Sequence, residues 1–364
     1  MKALAVGGAM IDTIAIIPSD RIERMSMRNL DSSFLLLEEG RKTEALEIST
    51  HVGGGAVNAA VGLARLGLDV GALVKLGKDG RAETVLARLM DQGVSTRWAM
   101  RDGRAPTGAS VLVSAHDRNA AIFTFRGANT LLEEGDLREE AFAADLVYIS
   151  SLSNESADAF PTIVKRAKAQ RALVATNPRV RQLSSRGGAF QEHLKLIDIL
   201  AINRSEADVM VPSLVARFGE GGRALPLKAG EVAPPLVLRG LAGGGHEMSL
   251  AGFMSAVLSL GVRYVVITDG RYGSFLGSKE GIMHCPILET QVVGTAGAGD
   301  AFNSTFAAYI ALGRPADEAL RAAAVNAASV VGYVDTQSGL LSREEIDKRI
   351  ATNMEKLRVR IWSH

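Results

Sequence analysis

The sequence predicts an α/β fold: a mostly parallel sheet with helices on both faces, accompanied by a second, small sheet. Three observations predict it. From about residue 145 onward, short apolar runs alternate with stretches of helical spacing, the pattern of βα units whose strands are covered on both sides. Two glycine clusters, at 53–55 and 294–299, each open an apolar helix. Residues 13–18, 33–50 and 107–125 carry β-like runs that do not alternate with helices, as strands of a separate sheet would.

Taken in order, residues 3–7 form an apolar strand ending at Gly7-Gly8. Residues 20–30, basic and containing methionine, read as a solvated helix or loop. Gly53-Gly54-Gly55 opens a helix carrying Val57, Val61, Ala64 and Leu66, which Gly67 closes. A strand at 69–76 and a helix from Asp79 to Gln92 follow. Thr107–Val113 and Ala120–Phe125 pair as a hairpin turning at His116–Asn119, and Arg126–Asn129 is a loop. Strands at 145–150, 172–176, 197–202 and 263–268 alternate with helices at 155–170, 188–195 and 248–260. The last third is helical at 300–312, 316–331 and 342–357. Residues 213–247, rich in glycine and proline, break the pattern and are expected to be a long mobile insertion.

With 364 residues, 47% of them hydrophobic, the chain can bury a large core as a single domain. Forty-one basic and 40 acidic residues leave a net charge of +1, which argues against a polyanion-binding surface and hence against a nucleic-acid partner. One cysteine, Cys285, excludes an internal disulfide framework and fits a reducing compartment. The apolar start is broken by Gly7, Gly8 and Asp12, so no secretory leader is expected. No apolar run approaches the ~20 residues that span a bilayer, and a cytoplasmic protein with no membrane partner is expected.

The strongest chemical signal is Gly294-Thr295-Ala296-Gly297-Ala298-Gly299-Asp300, followed by Phe302, Phe306, Tyr309 and Ile310 at helical spacing. Small residues let a ligand approach the backbone, and the first amides of a helix lack intrahelical partners. Such a turn suits phosphate or a developing negative charge, with Asp300 at its mouth; alternatively Asp300 only caps the helix. Asp12 follows the first strand, at the sheet edge where α/β proteins bind ligands, and is either a substrate contact or a turn cap. Gly54, Gly55 and Asn58 could grip a polyhydroxylated ligand through amides and one carboxamide, or simply form a turn and cap. Arg126, Asn129, Ser150, Ser151 and Arg179 are further candidate contacts.

These segments resemble the ribokinase/PfkB family of carbohydrate and nucleoside kinases. Gly53-Gly54-Gly55-Ala56-Val57-Asn58-Ala59-Ala60 is similar to its N-terminal signature, and Thr295 to Phe302 to its C-terminal one. Asn177-Pro178-Arg179, Asn203-Arg204-Ser205-Glu206 and Thr268-Asp269-Gly270-Arg271-Tyr272-Gly273 resemble three intervening motifs, in the family's order. The resemblance implies a ribokinase-like, Rossmann-like domain whose small sheet is a lid, and transfer of phosphate from ATP to the hydroxyl of a small sugar or sugar acid. It implies Asp300 as general base and the amides of Gly297, Ala298 and Gly299 as an anion hole. Asp12, Gly54, Gly55, Asn58 and Arg179 would hold the substrate. Asn203 and Glu206 would order Mg²⁺, Glu206 through water. Thr268, Gly270, Gly273, Thr295 and Asn326 would bind the nucleotide, with Asn326 near the adenine.

Three positions depart from the pattern. Gly294 stands where many members carry an aspartate that helps bind a monovalent cation. Ala175 replaces an acid two positions before Asn177. Gly55 replaces a lysine found in some ribose-specific members. Nucleoside acceptors are the alternative within enzymes, with Phe34, Phe123 or Phe125 as a stacking platform, and a catalytically silent sugar sensor is the alternative outside them. A homodimer contact through the lid is also expected. A dehydrogenase is disfavoured, since no G-x-G-x-x-G follows the first strand.

Overall fold

The structure, a computed structural model, describes residues 1–18, 23–26, 33–36, 40, 42–115, 120–222, 224–227 and 232–362. The N-terminal part holds β1 (Lys2–Gly7), β2 (Met10–Ile17), β3 (Glu23–Ser26), β4 (Ser33–Leu36), β5 (Glu47–Gly53), α1 (Gly55–Arg65), β6 (Asp69–Gly77), α2 (Gly80–Asp91), β7 (Met100–Asp102), β8 (Gly108–Ala115) and β9 (Ala120–Phe125). The central part holds β10 (Leu146–Ile149), α3 (Phe160–Ala169), β11 (Leu173–Thr176), α4 (Val180–Ser185), α5 (Gly187–Glu192), β12 (Ile199–Asn203), α6 (Arg204–Phe218), α7 (Pro235–Arg239), β13 (Leu241–Gly243) and β14 (His246–Met248). The chain closes with α8 (Leu250–Ser259), β15 (Tyr264–Thr268), β16 (Ser274–Ser278), β17 (Gly281–Cys285), α9 (Ala298–Ala311), α10 (Ala316–Val330), α11 (Arg343–Thr352) and β18 (Arg360–Trp362).

The main sheet runs β18-β17-β16-β15-β12-β11-β10-β1-β6-β7. Every pairing from β15 to β7 is parallel, and β16, β17 and β18 extend the other edge antiparallel. The strands are apolar throughout because each feeds two cores. Ala3 and Ala5 of β1 join one, with Leu63, Phe306, Tyr309 and Leu320 from α1, α9 and α10. Leu4 and Val6 join the other, with Phe160, Met210 and Phe253 from α3, α6 and α8. Small alanines on one side let α9 and α1 approach closely, and their N-termini converge at the sheet edge. Among the described residues, no helix is long and apolar enough to cross a membrane.

The lid is a four-stranded sheet, β5-β2-β8-β9. Asp12, His51, Ser110 and Thr124 are cross-strand neighbours and share one face; Thr13, Val111 and Phe123 lie on the other. Asp12 therefore stands inside a lid strand rather than in a turn after β1. Residues 33–36 do not belong to the lid sheet. They pair antiparallel with β3 in a separate ribbon, which also corrects the solvated helix or loop expected over 20–30. The apolar run at 33–36 does form a strand, but its partner Glu23–Ser26 mixes charged and apolar residues and gives no strand signal. The side chain of Phe34, and the turn expected at His116–Asn119, lie outside the described residues.

Other boundaries shift. The helix expected at 155–170 begins as a 3-10 turn, Asn154–Ala159, and turns α-helical at Phe160. The helix expected at 342–357 ends at Thr352, and the chain then returns to the sheet as β18. The expected insertion at 213–247 is partly regular: α6 runs on to Phe218, α7 buries Leu236, and β13–β14 form a hairpin. The Trp362 indole N–H, on β18, donates to the Pro226 carbonyl at 3.1 Å and fastens the insertion to the sheet edge.

Candidate active site

The parallel strands deliver their C-terminal ends to one edge. There lie Gly7 at the end of β1, Ser150 after β10, Asn177 after β11, and Asn203 and Thr268, register partners at the ends of β12 and β15. Gly7 has φ 137°, and a Cβ on it would stand 2.2 Å from Ser150 Oγ, so this junction requires glycine.

Two helix N-termini meet above that edge. Gly297 caps α9 in the left-handed region, φ 79°, where a Cβ would be 2.6 Å from Thr336 Cβ. The amides of Gly297, Ala298, Gly299 and Asp300 donate to no acceptor among the described residues, and the position of a Cβ on Gly299 faces open space. The helix head is thus a free set of donors with positive potential. Asp300 is 5% exposed. Its Oδ2 accepts from Asn58 Nδ2 at 2.9 Å and its Oδ1 from Arg179 Nη2 at 3.3 Å. Gly55, heading α1, packs against both: a Cβ there would lie 2.9 Å from Ser150 Cβ and 3.6 Å from Asp300 Oδ1. A lysine has no room at this position. Gly54, φ 100°, lets α1 start against the Gly8 carbonyl.

Asn58 is placed differently from the expectation. It is buried, and its oxygen is fully engaged: Nδ2 donates to Asp300, while Oδ1 accepts from Thr336 Oγ1 at 2.9 Å and Gln337 Nε2 at 3.2 Å. It holds the acid, and among the described residues the second hydrogen of its NH₂ has no acceptor. Asp12 faces Asp300 from the lid, hydrogen-bonded by the Ser110 hydroxyl. Burial lifts the Asp12 carboxyl above its ordinary range, Ser110 draws it back, and the Asp300 charge raises it again.

Arg179 is half exposed and reaches Asp300 from the start of α4. The Asp300 charge raises its already high pKa. Arg126, at the end of the lid strand β9, donates to Ser153 Oγ at 2.9 Å. Burial, then the charges of Arg181 and Arg179, lower the Arg126 pKa. Among the described residues neither Arg126 nor Arg181 has a carboxylate partner within ion-pair distance. Asn129 is not a ligand group, since it bonds both backbone groups of Ala9.

On the far side, Asn203 and Glu206 form a reciprocal capping box at the head of α6. Glu206 Oε2 accepts from the Asn203 amide at 2.8 Å, and Oε1 takes no hydrogen bond from the described residues. Burial raises the Glu206 carboxyl; the Asn203 amide and Arg179 oppose that rise. Among the described residues no cluster of three metal-binding side chains occurs. One carboxylate with a free oxygen fits Mg²⁺ only as Mg²⁺ binds beside phosphates, keeping most of its waters. Gly270, φ 54°, has open space around it, and Gly273, φ 90°, would clash with the Cys285 carbonyl if it bore a Cβ. Thr268 and these glycines shape a backbone loop beside Glu206. Asp269 within it is buried, with Oδ2 unpartnered and Arg204 3.7 Å from Oδ1. Thr295 is exposed at the approach to α9.

Asn326 departs from its expected role. It is wholly buried, donates to Thr305 Oγ1 at 2.8 Å and accepts from the Leu341 amide at 3.0 Å. Its side chain joins α10 to α9 and to the following segment, leaving nothing for an adenine. Reading the motifs missed Ser110, Thr336, Gln337 and Tyr148. Tyr148 is the register neighbour of Ala175, its hydroxyl lacks a partner among the described residues, and burial and then the Asp300 charge raise its pKa well above the usual phenol range.

The sheet order and the helices on both its faces define a Rossmann-like α/β protein. The family described as pfkB family carbohydrate kinase matches residues 24–219 and 241–343, and the chain belongs to it. It is 24% identical over 300 residues to a ribokinase of Staphylococcus aureus, covering 79% of this chain and 85% of that protein. It is 25% identical over 315 residues to a 5-dehydro-2-deoxygluconokinase of Bacillus subtilis, covering 84% and 89%. A putative ribokinase II from E. coli, solved with ATP and Mg²⁺, superposes with a TM-score of 0.72 at 18% identity over 96% of this chain and 99% of that one. The family match skips 220–240, a narrower insertion than the 213–247 read from composition.

Proposed function

We propose that the protein phosphorylates a hydroxyl of a small sugar or sugar acid from ATP, with Asp300 as general base. The observation that carries this reading is one buried carboxylate at the head of α9, beside four free amides and opposite Asp12. In the reaction Asp300 takes the proton of the acceptor hydroxyl, whose oxygen bonds to the terminal phosphorus as the bond to ADP breaks. The amides of Gly297, Ala298 and Gly299 face the charge that develops on the transferred group. Asp12 orients the acceptor from the lid. Asn203 and Glu206 would hold Mg²⁺ through water, and Thr268, Gly270, Gly273 and Thr295 would border the nucleotide. The metal, when bound, neutralises phosphate charge.

The Arg179 guanidinium, 3.3 Å from Asp300 Oδ1, favours a sugar acid over a neutral sugar. The B. subtilis relative is named for such an acid, which supports the same choice. Phe123 and Phe125 lie on the lid face opposite Asp12, which weakens the stacking platform a nucleoside kinase would need. Their exposure, with that of Ile48 and Val111 on the same face, suits a contact between two lids.

The test is a panel of matched neutral sugars, aldonic and deoxy-keto acids and nucleosides, with ATP and Mg²⁺, repeated with Asp300→Asn. Turnover is expected to fall at least ~10²-fold in the variant, with nucleotide affinity little changed. Undiminished turnover removes Asp300 as the base. Turnover of nucleosides alone overturns the acceptor class.

A further inference from the structure

The base of the proposed reaction is held by a directional chain of hydrogen bonds that begins on a surface helix. Arg88 on α2 donates from Nε to Gln337 Oε1 at 2.9 Å. Gln337 Nε2 donates to Asn58 Oδ1 at 3.2 Å and to the Val52 carbonyl, at the root of lid strand β5, at 2.9 Å. Asn58 Nδ2 then donates to Asp300 Oδ2 at 2.9 Å. Asn58, Gln337 and Asp300 are all buried, so none of these groups can exchange its partner for bulk water at low cost.

A carboxamide can be turned end for end, and only its partners decide which end faces where. Arginine has no acceptor, so Arg88 fixes Gln337 with its oxygen outward and its NH₂ inward. That NH₂, with the Thr336 hydroxyl at 2.9 Å, fixes the oxygen of Asn58 and so points the Asn58 NH₂ at Asp300. Turned over, Asn58 would set NH₂ against NH₂ at Gln337 and oxygen against carboxylate at Asp300. Arg65 anchors the same corner through the backbone carbonyls of Gln337, 2.8 Å, and Leu340, 2.7 Å. Arg179 meets the other oxygen of Asp300, so the carboxylate is held in two directions.

We infer that Gln337, assisted by Thr336 and Arg88, is a positioning residue that fixes the Asn58 amide in the orientation presenting a donor to Asp300. The inference rests on Asp300 being the base. Gln337→Met keeps a similar volume and removes both polar ends. Its kcat is expected to fall about tenfold, with KM for ATP nearly unchanged. Arg88→Met, which leaves Gln337 oriented by the Val52 carbonyl alone, is expected to lower kcat in the same way by a smaller factor. In the background of Asn58→Ala, Gln337→Met should lower kcat no further, because the amide it orients is gone.

An unchanged kcat in Gln337→Met, or losses that add in the double variant, would overturn the inference and leave Gln337 a packing residue. If Gln337→Met does not fold, Thr336→Val and Arg88→Met carry the same cycle. Full turnover by Asp300→Asn would remove the base assignment itself. A dead Asp300→Asn beside an unslowed Gln337→Met would remove only this inference.

Discussion

Replacing Gly297 by alanine separates the two things the α9 turn does. The residue is left-handed, which costs a non-glycine residue about 1–2 kcal/mol. The new Cβ would also lie 2.6 Å from Thr336 Cβ and 2.9 Å from its Cα. Ordinary contact needs a shift of about 1 Å, and overpacking of this kind costs about 1–3 kcal/mol. Gly297→Ala is therefore expected to lose about 2–5 kcal/mol, read from the urea midpoint at constant slope. The shift moves the free amides and also displaces Thr336 from Asn58. Misplacement of that size costs about 10² in kcat. Gly299→Ala is the control, since its Cβ meets nothing within 4 Å. At a helical position alanine is favoured by up to about 1 kcal/mol, so stability should hold or rise while the methyl obstructs the ligand side and turnover falls. The reasoning fails if Gly297→Ala matches the wild type in both assays, or if Gly299→Ala loses comparable stability.

Other outcomes follow from features away from the turn. Lys75, 5% exposed, is held by Asp136 at 2.6 Å and Asp102 at 3.2 Å; burial alone would lower its pKa, but these carboxylates raise it. Because both acids remain partly hydrated, Lys75→Met is expected to cost about 2–3 kcal/mol, less than a fully buried pair. That difference is whole below the free lysine value of about 10.4 and should shrink as pH climbs through the raised one, in unfolding curves at pH 8 and 11. Cys285 is buried, with its thiol pushed up to about 12, so a thiol reagent at pH 8 should label it only at the rate of unfolding; fast labelling of the native protein would contradict this. At Gly294 a Cβ would lie 2.9 Å from the Tyr333 carbonyl, leaving no room for an aspartate there. Turnover should accordingly be the same in potassium and in sodium, and strong activation by potassium would refute it.

The parallel strands, the two glycine turns and the helices behind them were legible because each rests on local composition: apolar runs of strand length, or small residues before a helix. Asp300, Glu206 and Thr268 lie at a strand end or helix heads, whereas Asp12, read as following the first strand, lies inside β2. β16, β17 and β18 were not legible, since five-residue runs such as Ser274–Ser278 mix polar and apolar residues and their pairing depends on what the sheet edge needs. The fixing of Asn58 was hidden for another reason. Thr336 and Gln337 lie 278 and 279 residues away from it in sequence, and only packing brings them together. Asn326 shows the converse, a residue whose motif position suggested a ligand and whose two hydrogen bonds lie within the helical layer.

The lid is woven from two separate passages of the chain. β2 and β5 leave the main sheet between β1 and β6, β8 and β9 leave it after β7, and β2 pairs in parallel with β8, Asp12 beside Ser110. Neither passage alone makes a sheet that sets Asp12 beside its hydroxyl partner Ser110. The cover cannot be excised, transplanted or exchanged with that of a relative as one contiguous cassette. Evolution of acceptor preference on this scaffold must proceed by changing side chains on both passages in concert, after the strands beneath have already brought their exits side by side.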